Sequence, residues 1–91
     1  MSEVKIKNIT EGDKQRVFEV EVVEGDSFTE HKVTLSNHDY NKLSRKKTPE
    51  EFMKKTFEFL LEREGKESIM KTFNITDIGK YFPEYENKIT S

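Results

Sequence analysis

The four residues Glu24-Gly25-Asp26-Ser27 constrain this chain more than any other stretch. Gly-Asp stands between two runs of alternating apolar and charged residues, and glycine supplies the positive φ required at the first central position of a type II′ hairpin turn. A turn centred there sets a register. Val22 opposes Thr29, Val20 opposes His31 and Phe18 opposes Val33, all on one face. The other face pairs Val23 with Phe28, Glu19 with Lys32 and Glu21 with Glu30: one apolar pair, one complementary pair and one like-charge pair. That second face is expected to be mostly solvated.

Upstream, Val4 and Ile6 alternate with Lys5 and Lys7 in the period of a half-buried strand, and the polar stretch 10–15 connects it to the hairpin. The expectation is a three-stranded antiparallel meander over 3–9, 16–23 and 28–35. Its apolar face of Val4, Ile6, Phe18, Val20, Val22, Val33 and Leu35 then needs a cover. Helices supply it. Ser36, with Asp39 three residues on, starts a short one over 37–44 that carries Tyr40 and Leu43. Thr48-Pro49-Glu50-Glu51 is the strongest local signal: Thr48 caps, Pro49 fits the first helical position and Glu51 closes the box. The helix that follows is expected over 49–64, with Met53, Phe57, Leu60 and Leu61 in one stripe, broadened by Phe52 and Phe59. Gly65 reads as its left-handed cap, and a further helical segment over 66–73 carries Ile69, Met70 and Phe73. A last helical region over 76–89, capped by Thr76, carries Ile78, Tyr81, Phe82, Tyr85 and Ile89, with Pro83 breaking or restarting it. The fold class is α+β, with three to four helices covering one face of the meander.

At 91 residues there is room for one domain, 1–91. The chain is 37% charged and 32% hydrophobic, yet seven Phe and three Tyr give a core something to bury, so disorder is not expected. A formal charge of -2 excludes a global basic field. Without cysteine there are no disulfides, thiolate nucleophiles or zinc ribbons. The N-terminal stretch alternates charged and apolar residues where a signal peptide has an unbroken apolar run, and nowhere are there enough consecutive apolar residues for a membrane span. A cytoplasmic protein without membrane contact is expected.

Acid–base chemistry would look first to His31 and His38, the only histidines. By parity His31 lies on the inner face, as a sheet-end residue with one hydrogen bond. His38 falls in the first turn of a helix, and with Asp39 it lacks further ligands at metal-binding spacing. Ser36, Thr48 and Thr76 are explained as caps, the pairs Glu50/Glu51 and Glu58/Glu62 as surface charge, and the four glycines as turn and cap residues, so no phosphate-binding loop forms. Catalytic residues, metal ligands and cofactors are therefore not expected. Two clusters remain as candidate contact surfaces. Lys42, Arg45, Lys46 and Lys47 gather around the turn between the first two helices, where they can meet a phosphate or an acidic partner. Tyr81, Phe82 and Tyr85, in Tyr81-Phe82-Pro83-Glu84-Tyr85, can present rings to a partner protein.

The stretches Thr48-Pro49-Glu50-Glu51-Phe52, Phe57-Glu58-Phe59-Leu60-Leu61-Glu62-Arg63-Glu64, Glu67-Ser68-Ile69 and Tyr81-Phe82-Pro83-Glu84-Tyr85-Glu86 resemble the signature of a family of small uncharacterised prokaryotic proteins. The resemblance covers about the C-terminal half. It implies a small cytoplasmic prokaryotic protein with no assigned activity and no catalytic residues to carry over. More loosely, strand 31–35, short helix 37–44, basic turn and capped helix 49–64 resemble the ribbon-helix-helix DNA-binding domains. In that family the strand pairs with its mate in a dimer and its exposed side chains read the major groove. The resemblance places Lys32 and Thr34 at the reading positions. The chain departs from that pattern in its two preceding strands, its acidic charge and the acidic Glu30 beside Lys32 on the same face. The first expectation is therefore a non-enzymatic interaction or regulatory module whose partner, another protein or itself, docks at a free sheet edge or at the Tyr81–Tyr85 patch. Nucleic-acid binding through Lys32, Lys42, Arg45, Lys46 and Lys47 is the alternative.

Overall fold

In the computed structural model, which describes residues 2–90, strands β1 (Glu3–Glu11), β2 (Gln15–Glu24) and β3 (Ser27–Ser36) lead into helices α1 (Asn37–Leu43) and α2 (Pro49–Leu61). A single 3₁₀ turn (Lys66–Ser68), strand β4 (Thr72–Asn74) and helices α3 (Ile75–Tyr81) and α4 (Tyr85–Ile89) complete the chain. The sheet order is β1-β2-β3-β4. The first three strands form the antiparallel meander, and β4 lies parallel to β3. The fold is α+β.

The central hairpin forms in the register its turn dictates. Val22 faces Thr29, Val20 faces His31, Phe18 faces Val33, and Glu24 meets Ser27 across the turn. Gly25 takes φ 61° there. On the inner face Phe18, Val22, Val33 and Leu35 have no solvent exposure. On the outer face Phe28 is 59% exposed, and Glu19, Glu30 and Lys32 stand in solvent.

Simple alternation misses one feature of β1. Its pairing with β2 shifts between Ile6 and Asn8, so Lys7 is the extra residue of a bulge. The shift reverses the parity. Val4, Ile6 and Ile9 consequently oppose Val22, Val20 and Phe18, and all three pack against the core.

Two of the three expected N-terminal caps form, at Ser36 and Thr48. The Ser36 hydroxyl accepts the Asp39 amide at 3.0 Å. Thr48 accepts the Glu51 amide at 3.2 Å while Glu51 accepts the Thr48 amide at 3.1 Å, closing the capping box behind Pro49. α2 then lays Phe52, Met53, Thr56 and Phe57, all fully buried, against the sheet. It ends at Leu61 rather than 64, because the Arg63 and Glu64 amides both turn back onto the Leu60 carbonyl at 3.0 Å. Gly65 is not a left-handed cap: at φ -72° it leads into the 3₁₀ turn.

The segment 66–73 differs most from expectation. In place of a helix there is one 3₁₀ turn and then β4, which makes the meander a four-stranded sheet. Ile69, Met70 and Phe73 fit a helical spacing, but the free edge of β3 presents backbone groups that a packed helix cannot satisfy. An added strand can. The Lys32 amide donates to the Lys71 carbonyl at 2.6 Å, and Phe73 pairs with Val33 and turns its ring inward.

The expected 76–89 region is split at Pro83 into α3 and α4. Asn74, not Thr76, caps α3. Its side chain accepts the Thr76 amide at 3.0 Å, and its own amide donates to Asp77 at 3.1 Å. α4 buries Tyr85 and Ile89 to 1% exposure. The Tyr85 hydroxyl sits 2.7 Å from that of Thr56, and its ring lies 5.1 Å from Phe59, so α4 is docked on α2. No helix among the described residues is long and apolar enough to cross a membrane.

Candidate functional site

His31 is buried, and both its ring nitrogens are engaged. A carbonyl only accepts, so the Nδ1–H donates to the Met70 carbonyl at 2.8 Å, and Nε2 faces the Thr29 hydroxyl at 2.8 Å and accepts from it. Phe57 packs 5.4 Å away, centroid to centroid. Burial pulls the imidazole below its ordinary 6.5, against the opposing effect of the Met70 bond, and Lys71 adds to the lowering. In place of the single bond expected for a sheet-end residue there are two, one within β3 to Thr29 and one to Met70 that ties β3 to the segment before β4. His38 is exposed on α1, and no group of three or more potential metal ligands occurs among the described residues.

The structure divides the expected basic cluster. Lys42 lies 3.5 Å from Glu86, and the Lys47 ammonium reaches the Ile89 carbonyl at 3.5 Å, so both are turned toward α4. Between them Arg45 (φ 50°) and Lys46 (φ 72°) occupy the left-handed region in succession, in a turn closed by the Lys47 amide on the Ser44 carbonyl at 3.0 Å. The Tyr40 hydroxyl anchors the same turn by donating to the Lys47 carbonyl at 2.5 Å. Lys32 is elsewhere, in a hollow with Lys7, Glu19, Glu30 and Lys71 that none of the turn cations lines. β2 pairs with β3 along its whole length, and β4 covers the other edge at Lys32–Thr34, the middle of the expected ribbon strand. The ribbon pairing implied by the second resemblance would have to displace β4 from those residues.

The aromatic patch is also dismantled. Tyr85 is 1% exposed and Phe82 packs edge-on against Phe59 at 5.9 Å, which leaves Tyr81, 68% exposed, as the one ring of the three that stands out into solvent. Tyr81 instead joins residues from distant parts of the chain. With Leu60, Ile69, Met70, Phe73 and Ile78 it lines a groove of about 270 Å³, completed by Glu64 and Ser68.

Each wall of this groove follows from a local cause. Leu60 is the last turn of the α2 stripe. The early end of α2 and the 3₁₀ turn bring the chain back along the β3 edge, where His31 holds the Met70 carbonyl and Lys32 the Lys71 carbonyl. Phe73 follows inward on β4, and the capped α3 adds Ile78 and Tyr81. Leu60, Ile69, Phe73 and Ile78, each at most 5% exposed, form the floor. Met70, 41% exposed, and Tyr81 form the rim. Met70 carried no signal in the sequence that would have set it apart, since its spacing placed it on a helix that does not form.

Comparison of the chain with family models, with curated proteins and with solved structures finds no match.

Proposed function

We propose that this chain is a non-enzymatic docking module and that the groove between α2, β4 and α3 receives an apolar segment of a partner protein. One observation carries the reading. Of the three large hydrophobic side chains left exposed among the described residues, two, Met70 and Tyr81, stand together on the rim of one apolar concavity. Exposed apolar surface forgoes about 25 cal/mol per Å² of burial, and scattered single residues are ordinary, whereas a rim-and-floor arrangement marks a contact surface. Methionine adapts to the shape of what it touches, and tyrosine offers a rigid ring at small entropic cost.

The alternative place for a partner, strand addition at β1, is poorly disposed for it. β1 carries Lys5 and Lys7 and is bulged at Lys7, both features that discourage edge pairing. Selection of displayed peptides on the immobilised full chain tests the reading. Peptides with an apolar anchor should be enriched, should lose binding to Met70→Lys and Tyr81→Lys, and should still bind Phe28→Lys. Failure to enrich any peptide, or binding to the two groove variants as strong as to the native chain, would overturn it.

A further inference from the structure

The groove is apolar except for the hydroxyls of Ser68 and Tyr81 and one carboxylate, Glu64. Four neighbouring acids on the same stretches of chain each meet a cation. Glu62 and Glu84 meet Arg63 at 3.3 and 2.9 Å, Glu67 meets Lys66 at 2.5 Å, and Asp77 meets Lys80 at 3.5 Å. Glu64 does not. Half-buried where α2 gives way to the 3₁₀ turn, its carboxylate makes no ion pair or hydrogen bond with any described residue. The unpaired cation nearest in sequence to the groove, Lys71, lines the separate hollow with Lys32 and Glu19.

A carboxylate on the wall of an apolar groove gains most from an arriving cation, because part of its water is already displaced and an occupant removes more. Tyr81 adds to this: its exposed ring, on the same groove, offers a π face to a cation. The geometry points to a specificity beyond apolar docking: the segment that enters the groove carries a Lys or Arg next to its apolar anchor, and Glu64 receives the cation. This rests on the docking reading above and states what that reading leaves open, namely which apolar segments are accepted.

The test uses two probes of equal length, 1-hexanol and hexylammonium, titrated into the isotope-labelled full chain and followed by amide shifts. The expected result is that both shift the amides of Leu60, Ile69, Phe73 and Ile78, and that hexylammonium binds about three- to tenfold tighter at low salt. Glu64→Gln should bring hexylammonium to the affinity of hexanol and leave hexanol unchanged. Equal affinity of the two probes, or an ammonium preference that survives in Glu64→Gln, would overturn the cation role while the docking reading stands. If neither probe shifts groove amides, both fall. Glu64 is a half-exposed residue outside the core, and an unchanged spectrum away from the groove in Glu64→Gln certifies that the variant is folded.

Discussion

Lys46 holds φ 72° and Arg45 φ 50°, a pair of left-handed residues where asparagine and glycine are the usual occupants. An L-residue in this region is strained by about 1–2 kcal/mol, and a glycine would give part of that back in unfolded-state entropy. Lys46→Gly should therefore raise stability by about 0.5–1 kcal/mol in a urea melt, with Lys46→Ala close to neutral. Gly25 gives the converse. A Cβ there would meet nothing within 4 Å, so the loss in Gly25→Ala, about 1–2 kcal/mol, is conformational alone. His31 makes a prediction in pH. Its folded value lies below 6.5, so the unfolded chain takes up the proton first. Stability should fall as pH drops through the window bounded above by 6.5 and below by the lowered folded value, and then level off. Urea midpoints between pH 8 and 5 should show this slope in the native chain and a reduced one in His31→Asn. The acid loss at lower pH should persist in both, since Glu51, lowered by its hydrogen bonds with Thr48, and Glu67 and Glu84, lowered by hydrogen bonds from Lys66 and Arg63, are retained.

Among the elements, α4 is tied to α2 by one buried hydroxyl pair. Burial pushes the Tyr85 phenol well above its ordinary range, so it stays protonated and bonded to Thr56 at all working pH. Thr56 sits inside α2 and can turn its hydroxyl to a carbonyl of its own helix, whereas Tyr85 has no such fallback. Thr56→Val should thus cost about 1–3 kcal/mol, Tyr85→Phe less, and the double variant no more than Thr56→Val alone. The elements also differ in how openly the sequence announced them. The β2–β3 hairpin and the caps at Ser36 and Thr48 were legible because turn chemistry and capping act over four residues, whereas the third cap fell two residues earlier, at Asn74. β4 was not. Its identity is set by the empty edge of β3, 39 residues back at the His31–Met70 bond, and no local pattern in Thr72-Phe73-Asn74 records that vacancy. The bulge at Lys7 was hidden for a similar reason. Only the demand that Ile9 face Phe18 reveals it.

At the level of the whole molecule, the C-terminal segment is structural. Ile75, Ile78, Tyr85 and Ile89 are all at most 3% exposed, so removing 75–91 should expose the α2 surface and abolish a cooperative melt or lower its midpoint by more than about 10 °C. The same tertiary dependence governs the candidate site. Tyr81 was singled out from sequence, but as part of an aromatic run, and the fold sends its companions Phe82 and Tyr85 inward. Met70 and Glu64 could not be read at all, because they reach Tyr81 only once α2 stops at Leu61 and β4 docks. Titrating indole, a neutral apolar probe, into the labelled full chain and mapping amide shifts decides whether this groove is where the molecule takes a partner. Saturable shifts are expected, confined to Leu60, the Ile69–Phe73 stretch and Ile78–Tyr81, and abolished by Tyr81→Lys. Shifts centred on Phe28 or the β1 edge, or scattered without saturation, would contradict it.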